Sequence, residues 1–284
     1  MTCAWNALLG ILPGWMRSQL DDRDRETLQE LRLRINAPPE CIGSGGIRRM
    51  GREVDRSDLQ YCVNAASKYS PWAASTAENG YITAPGGHRI GLCGQAVCTP
   101  EQKIRIQELT SVCIRVARDF PGIGEKAALI SGSLLILGAP GWGKTTLLRD
   151  LCRILSKRET LCVVDSRCEL FPPEIPRGER MDVLSGCDKP RGMEMVLRTM
   201  GPSYIAADEI TSAEDCAAIL HAANCGVSLL ATAHGTCAQD YLSRPAYRPL
   251  AEHRVFPTLL ILHPDKSYTV ERMNLCISNG SVQY

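Results

Sequence analysis

The chain has 284 residues, 44% of them hydrophobic, 22% charged and 5% aromatic, with 32 Lys and Arg against 31 Asp and Glu. That length suits one large or two modest domains with a sizeable core. Division at Phe120 leaves 15 basic and 13 acidic residues before it and 17 and 18 after, so neither half has the positive surplus of a protein that coats phosphate backbones. The same balance excludes an acidic tail protein, and the apolar content excludes a disordered chain.

In chain order, the uncharged start up to Trp15 lacks a basic region and is broken by Gly10, Pro13 and Gly14. It reads as a helix packing against its domain, with an amphipathic contact surface as the alternative, and not as a signal peptide. Asp24 to Leu33 reads as a helix, ended by Pro38 and Pro39. Asp58 to Tyr69 repeats apolar residues at helical spacing, with Ser57 as its N-cap. Gly80 to Thr83, the Pro85-Gly86-Gly87 turn and His88 to Gly94 predict a β-hairpin. Ser111 to Ala117 alternates Val112, Ile114 and Val116 with other residues and predicts another strand. These elements define a small α+β domain over residues 1–120, whose role the pattern alone does not give.

Past Pro121 strands and helices alternate. The pattern predicts strands over Leu134–Leu137, Leu161–Asp165, Tyr204–Asp208, Val227–Ala233, Thr258–His263 and Tyr268–Met273. Helices fall over Thr145–Leu155, Arg191–Met200 and Ala213–Ala223, and Asn279-Gly280 is a hairpin-turn signal. Such alternation predicts an α/β domain over residues 121–284 with a mostly parallel sheet covered on both faces. The uncharged run Cys216–Gln239 carries His221, Asn224, His234 and two glycines, and reads as a buried helix and strand, not a membrane span.

The fourteen cysteines include no C-x-x-C pair and no regular spacing. Cys113, Cys152, Cys162, Cys225 and Cys276 lie in apolar runs, where a thiol acts as a small hydrophobe. This predicts a reduced, cytoplasmic protein; a zinc site is the sharper alternative, without the usual ligand spacing.

Gly138-Ala139-Pro140-Gly141-Trp142-Gly143-Lys144-Thr145 matches G-x-x-x-x-G-K-[ST] at every defined position, after a predicted strand and at the start of a predicted helix. Its glycines allow backbone N–H groups from Gly141 to Thr146 to face phosphate oxygens, and the helix N-terminus adds partial positive charge. Lys144 is expected to reach the β- and γ-phosphates and the Thr145 hydroxyl to ligate Mg²⁺. Tyr204 to Glu209 is an apolar strand ending in two carboxylates. Asp208 is expected in the Mg²⁺ shell, and Glu209 to polarise an attacking water. His234, at the end of another strand, is expected to sense the γ-phosphate or to be satisfied by loop carbonyls. Asp165 and Glu169 sit at a similar edge and orient water or metal, or else cap the next segment of chain. Arg89, Arg115, Arg191 and Arg198 are candidates to stabilise transferring phosphoryl charge across a subunit boundary. No N-K-x-D guanine-reading motif occurs, which favours ATP over GTP.

Asp165-Ser-Arg-Cys-Glu169, the segment from Arg191-Gly-Met to Pro202, Asp208-Glu209-Ile210, Glu214-Asp215 and Thr232-Ala-His234-Gly235 occur in the order found in secretion ATPases. They resemble, in turn, the Asp box, the arginine-bearing helix, the Walker B segment and the His box of type II secretion and type IV pilus motors. Arg32-Leu-Arg34, Gly80-Tyr-Ile-Thr with Gly86-Gly-His-Arg-Ile-Gly91, and Ile114-Arg-Val-Ala-Arg118 resemble N-terminal signatures of the stage III sporulation AA family of endospore-forming bacteria. The resemblance covers nearly the whole chain. It implies a RecA-like P-loop ATPase core, catalytic roles for Glu209, Lys144, His234, Glu169 and Arg198, and a homo-hexameric ring. It further implies membrane channel proteins of a sporulation secretion-type complex as partners, a cytoplasmic location peripheral to the membrane, and a role in powering or assembling the channel between mother cell and forespore. Ser166 departs from an expected acidic residue, and Thr211-Ser212 and Asn36-Ala37 from expected Gly-Arg pairs. No nucleic-acid partner is expected. A RecA-like nucleic-acid motor, a small-molecule P-loop kinase and a nucleotide-gated scaffold with little hydrolysis are the other readings.

Overall fold

The computed structural model describes residues 3–67, 80–98, 104–172 and 175–273. They form two compact units, Met1–Asp119 with Pro172–Pro176, and Phe120–Phe171 with Arg177–Tyr284. Pro172, Ile175 and Pro176, which the sequence places in the second domain, cluster with the first unit.

The first unit begins with three short helices, α1 (Trp5–Gly10), α2 (Gly14–Arg17) and α3 (Asp22–Thr27), followed by strands β1 (Leu28–Arg34), β2 (Glu40–Gly43) and β3 (Gly46–Arg49). Helix α4 (Arg56–Ser67) and strands β4 (Tyr81–Thr83), β5 (Arg89–Cys98) and β6 (Ile104–Arg115) complete it. The strands make an antiparallel sheet in the order β3-β2-β1-β6-β5-β4. One core holds Leu8, Ile11, Leu12 and Met16 from the N-terminal segment, Leu59 and Cys62 from α4, and Leu31, Leu33, Ile90 and Ile114 from the sheet. The uncharged N-terminus is therefore a packing element, as its sequence suggests.

Two expectations are corrected in this unit. Asp24–Leu33 is not one helix: it turns from helix to strand at Leu28. Leu31 and Leu33 alternate with Arg32 and Arg34, and pairing with β2 and β6 buries the leucines while leaving the arginines on the other face. The cap of α4 is Asp55 and not Ser57. The Asp55 carboxylate accepts the Asp58 N–H at 2.9 Å, the Asp58 carboxylate accepts the Asp55 N–H at 3.1 Å, and Ser57 only donates its hydroxyl to Asp55. An ionised carboxylate is the stronger acceptor for a helix N-terminus. Tyr69 and Asn279-Gly280 lie outside the described residues. The β4–β5 hairpin forms as expected, and β6 extends the predicted Ser111–Ala117 strand backwards.

The second unit runs β7 (Leu134–Gly138), α5 (Lys144–Leu155), β8 (Leu161–Asp165), β9 (Met181–Ser185), α6 (Lys189–Thr199), β10 (Tyr204–Ala207) and α7 (Ala213–Asn224). It continues with β11 (Ser228–His234), α8 (Ala238–Ser243), α9 (Arg248–Glu252), β12 (Thr258–Leu262) and β13 (Tyr268–Arg272). The sheet order is β13-β12-β7-β11-β10-β8-β9, parallel throughout except for β13. Every residue of β7, β8, β10 and β12 is buried, the mark of strands covered on both faces. Met193, Val196, Cys216, Ile219, Ala222 and Leu250 pack from α6, α7 and α9 against alternate residues such as Leu135, Ile205 and Ala231. Helix α5 buries Leu147, Leu148, Leu151, Cys152 and Leu155 at helical spacing against the sheet. Each such leucine contributes roughly 1.5–3 kcal/mol of transfer free energy.

Helix α6 lies so close to β8 that a Cβ on Gly192 would fall 2.6 Å from Val164 Cγ1. Among the described residues the cysteines are free thiols. Cys152 and Cys162 are buried as the apolar runs suggest, but Cys225 is exposed, because it comes after the last turn of α7 where the chain leaves the core.

Candidate nucleotide site

Four strand ends build the site. Strand β7 ends at Gly138, and the chain then loops into α5. Gly141 and Gly143 have φ of +76° and +100°, values that a side chain would make costly, so both positions call for glycine. Gly143 is the residue preceding α5, and Lys144 is its first. Lys144 is 7% exposed. Its Nζ donates to the Ala139 carbonyl at 3.1 Å and lies 3.4 Å from His234 Nδ1. Burial lowers the Lys144 pKa, against the opposing pull of the Asp208 and Glu209 carboxylates.

Strand β10 ends one residue before the acidic pair, and β11 lies between β10 and β7. Register places Ala207 opposite Ala231 and Gly138 opposite His234, so β11 delivers its last residues into the space between the P-loop and the two carboxylates. Asp208 accepts the Thr145 hydroxyl at 2.7 Å and, on its other oxygen, the Thr232 hydroxyl. Glu209 has a φ of +53°, and the Thr232 hydroxyl accepts its N–H at 2.7 Å. One side chain thus holds both members of the acidic pair. Glu209 Oε1 lies 2.9 Å from His234 Nε2, and its other oxygen accepts from Arg167. An ammonium can only donate, so the contact with Lys144 makes Nδ1 the acceptor and places the ring hydrogen on Nε2, facing Glu209. Burial pushes the Glu209 carboxyl up, but the His234 hydrogen bond and the Arg167 charge outweigh it and leave the pKa below the usual value.

Asp165, at the end of β8, is 2% exposed and accepts three backbone N–H groups, from Glu169, Leu170 and Phe171, at 2.9–3.0 Å. Of the two sequence alternatives the capping one holds: its oxygens organise the loop after β8. Burial still raises its pKa against those hydrogen bonds. Arg149 of α5 clamps the same loop by donating to the Glu169 and Leu170 carbonyls. Glu169 is half-buried in this loop, and Arg167, two residues before it, carries the loop to Glu209.

Arg198 lies elsewhere. It occupies the last turn of α6, six residues before β10 begins, and pairs with Glu194 on the same helix at 2.6 Å. That end of α6 is at the edge of the sheet where parallel strands start, whereas the P-loop and the carboxylates are where strands finish. Arg198 therefore does not join the cluster of its own chain. Arg191 is in the first turn of α6, on the finishing edge, and is exposed. Arg89 and Arg115 belong to the first unit, opposite each other on β5 and β6, where Arg89 stacks over Tyr81 at 4.1 Å.

The sequence motifs assign no role to Arg167, Thr232 or Lys266. Arg167 and Thr232 lie inside motifs singled out for their neighbours; nothing local marks Lys266, whose Nζ donates to the Gly141 carbonyl at 2.5 Å. Phosphate and Mg²⁺ fit the donors present. Mg²⁺ takes one or two protein oxygens plus phosphate oxygens, and Thr145 and Asp208 offer such a pair. Among the described residues no group of three or more His, Cys, Asp or Glu side chains is placed to hold a metal ion, which leaves the zinc alternative without ligands there.

A P-loop strand and an acid-tipped strand separated by one intervening strand define the RecA-type P-loop fold, here preceded by a small α+β unit. Two solved motor and ATPase structures share it. The ATPase DotB of Legionella pneumophila superposes with a TM-score of 0.56 at 17% identity, over 86% of this chain and 75% of that one. The pilus retraction motor PilT, with bound ADP, gives 0.56 at 14% identity, over 82% and 74%. The sequence model of the family described as Sporulation stage III, protein AA matches residues 6–272. Stage III sporulation protein AA of Bacillus subtilis (strain 168) is 35% identical over 277 residues, 90% of each chain. The chain belongs to the Sporulation stage III, protein AA family. Among the described residues no helix is long and apolar enough to cross a membrane.

Proposed function

We propose that the protein is a Mg²⁺-dependent ATP phosphohydrolase of the secretion-ATPase kind, acting as a ring motor on the channel between mother cell and forespore. The observation that carries this reading is the continuous hydrogen-bonded connection from Lys144 through His234 to Glu209, with Asp208 and Thr145 paired beside it. The loop N–H groups from Gly141 to Thr146 and the Lys144 ammonium bind the β- and γ-phosphates. Bound through Thr145 and Asp208, Mg²⁺ would neutralise charge on those phosphates. Glu209, ionised and aimed by Thr232 through its backbone and by His234 through its carboxylate, accepts the proton of the attacking water. The water oxygen forms a bond to the γ-phosphorus as the bond to the β-phosphate oxygen breaks, giving ADP, inorganic phosphate and the proton held by Glu209. His234 touches both the phosphate-binding lysine and the base, and so is the group through which the presence of a γ-phosphate reaches Glu209. Glu169 supports the same edge through the loop that bears Arg167.

The Asp208–Glu209 pair beside the proposed phosphate site favours water over an organic acceptor, and the balanced charge of both units favours a protein partner over nucleic acid. Family membership and the ADP in the related pilus motor support the reading. The finishing-edge placement of Arg191 favours it over Arg198 as the arginine presented to a neighbouring subunit.

The test compares two variants for Mg-ATP binding and phosphate release. Lys144→Ala is expected to lose nucleotide binding. Glu209→Gln is expected to bind as wild type and release phosphate at least a hundredfold more slowly, of the order found when a general base is removed. Turnover at the wild-type rate in Glu209→Gln would show that another group takes the proton.

A further inference from the structure

The P-loop is held by a side chain from 125 residues further along the chain. Strands β12 and β13 are joined by the tight turn His263-Pro264-Asp265-Lys266-Ser267. In it, the His263 N–H donates to the Ser267 carbonyl at 2.9 Å and the Lys266 N–H to the His263 carbonyl at 3.0 Å. Asp265 accepts both the N–H and the hydroxyl of Ser267, at 3.0 and 2.6 Å. These bonds hold Lys266 at a φ of +70°, a conformation uncommon for a lysine. The turn is well placed to reach the loop, because β12 pairs directly with β7 and Ile261 lies opposite Leu137, one residue before Gly138. The lysine stem passes Gly143, where a Cβ would lie 4.0 Å from Lys266 Cδ, and the ammonium ends on the Gly141 carbonyl.

Peptide geometry carries this contact into the loop. A peptide unit is planar and trans, so a carbonyl held on one side sends the next N–H to the other. With the Gly141 carbonyl pinned outward, the Trp142 N–H turns into the loop and donates to the Ala139 carbonyl at 3.3 Å. The Lys144 ammonium donates to that same carbonyl at 3.1 Å. Two of the donors that would hold a phosphate thus already converge on one neutral oxygen, and a charged phosphate oxygen is the stronger acceptor for both. Glycines at 141 and 143 give the loop many other shapes, and a charge-assisted bond at Gly141 removes much of that freedom before a ligand arrives.

We propose that Lys266 is a positioning residue of the nucleotide site, which latches the β12–β13 turn onto the P-loop and holds it in its phosphate-binding shape. The inference rests on the nucleotide reading above and adds a residue outside its motifs. It is tested on the full chain by calorimetric titration with Mg-ADP, alongside steady-state ATP hydrolysis and the melting temperature without nucleotide. Lys266→Met is expected to weaken Mg-ADP binding roughly five- to tenfold, the loss of one partly exposed charge-assisted hydrogen bond. KM for ATP is expected to rise more than kcat falls, and Lys266→Arg to recover most of the affinity. The side chain is exposed, so the melting temperature without nucleotide should stay at the wild-type value. Wild-type affinity in Lys266→Met overturns the inference. An affinity loss that comes with a lower melting temperature also overturns it, by assigning Lys266 to packing. Lys144→Ala, run in parallel, separates the two claims: if it binds Mg-ADP normally, the nucleotide is not on the P-loop and both readings fall.

Discussion

Glu209, the proposed general base, is the residue whose surroundings decide most about the proposed activity. Desolvation opposes its ionisation, yet the hydrogen bond from His234 and the nearby Arg167 guanidinium hold it ionised below the ordinary carboxylate range. A base must be deprotonated to act, so phosphate release should persist as pH falls through that ordinary range and decline only below it. Replacing Arg167 with alanine removes a stabilising positive charge, which raises the Glu209 pKa and moves the acid limb of the rate profile to higher pH. The sign for stability is the same: a carboxylate with a depressed folded pKa stabilises the fold above its unfolded pKa, and that contribution is lost as pH falls through the folded value. A pH–rate profile of Arg167→Ala that overlays the wild type would show that Arg167 does not set the charge on Glu209. The pair is half legible in the sequence. The strand-end position of Glu209 marks it as the candidate base, but Arg167 is 42 residues away and meets it only because β8 and β10 are hydrogen-bonded neighbours.

Among the elements, α7 shows how a departure from an expected pattern acquires a physical role. Thr211-Ser212 stands in place of an expected Gly-Arg pair, and Ser212 caps the helix. Its hydroxyl accepts the Asp215 N–H at 3.0 Å, while the Asp215 carboxylate accepts the N–H groups of Thr211 and Ser212 at 3.0 and 3.3 Å. Lys189, at the start of α6, lies 3.5 Å from the same carboxylate. The cap fixes the path between Glu209 and the helix that covers β10 and β11. Ser212→Ala should cost about 1 kcal/mol and lower the melting temperature of the second unit by roughly 2–4 °C, measured calorimetrically; an unchanged melting temperature would mean that water satisfies the freed Asp215 N–H. Strand β1 teaches the converse. Its residues read as a helix because Leu28 and Leu31 are three apart among good helix formers. Pairing on both sides imposes the two-residue period that Leu31 and Leu33 also permit.

For the whole molecule, the proposal of a ring gives a mass prediction. Glu209→Gln with Mg-ATP is expected to scatter light as an assembly of about six 31.1 kDa chains, and to fall back towards smaller species when the nucleotide is removed. Wild type should show the same assembly only while ATP lasts. A single-chain mass in every condition would count against a ring that the nucleotide alone assembles. The sequence carries no mark of such an interface, since contacts between copies obey no period along the chain.

The sequence by itself determined the glycine-rich loop before α5, the acidic pair and the alternation of strands and helices that makes a parallel sheet. All of these are encoded in contiguous residues whose local spacing has a direct physical meaning. Tertiary structure alone decided that β11 lies between β7 and β10 and that β12 flanks β7 on its other side. Those two adjacencies bring His234 to Lys144 and Glu209, Thr232 to both carboxylates, and Lys266 to Gly141. Nothing local specifies which strands become neighbours. That choice is made by burying every strand on both faces while keeping each crossover right-handed and short, a condition on the whole sheet that no single segment contains.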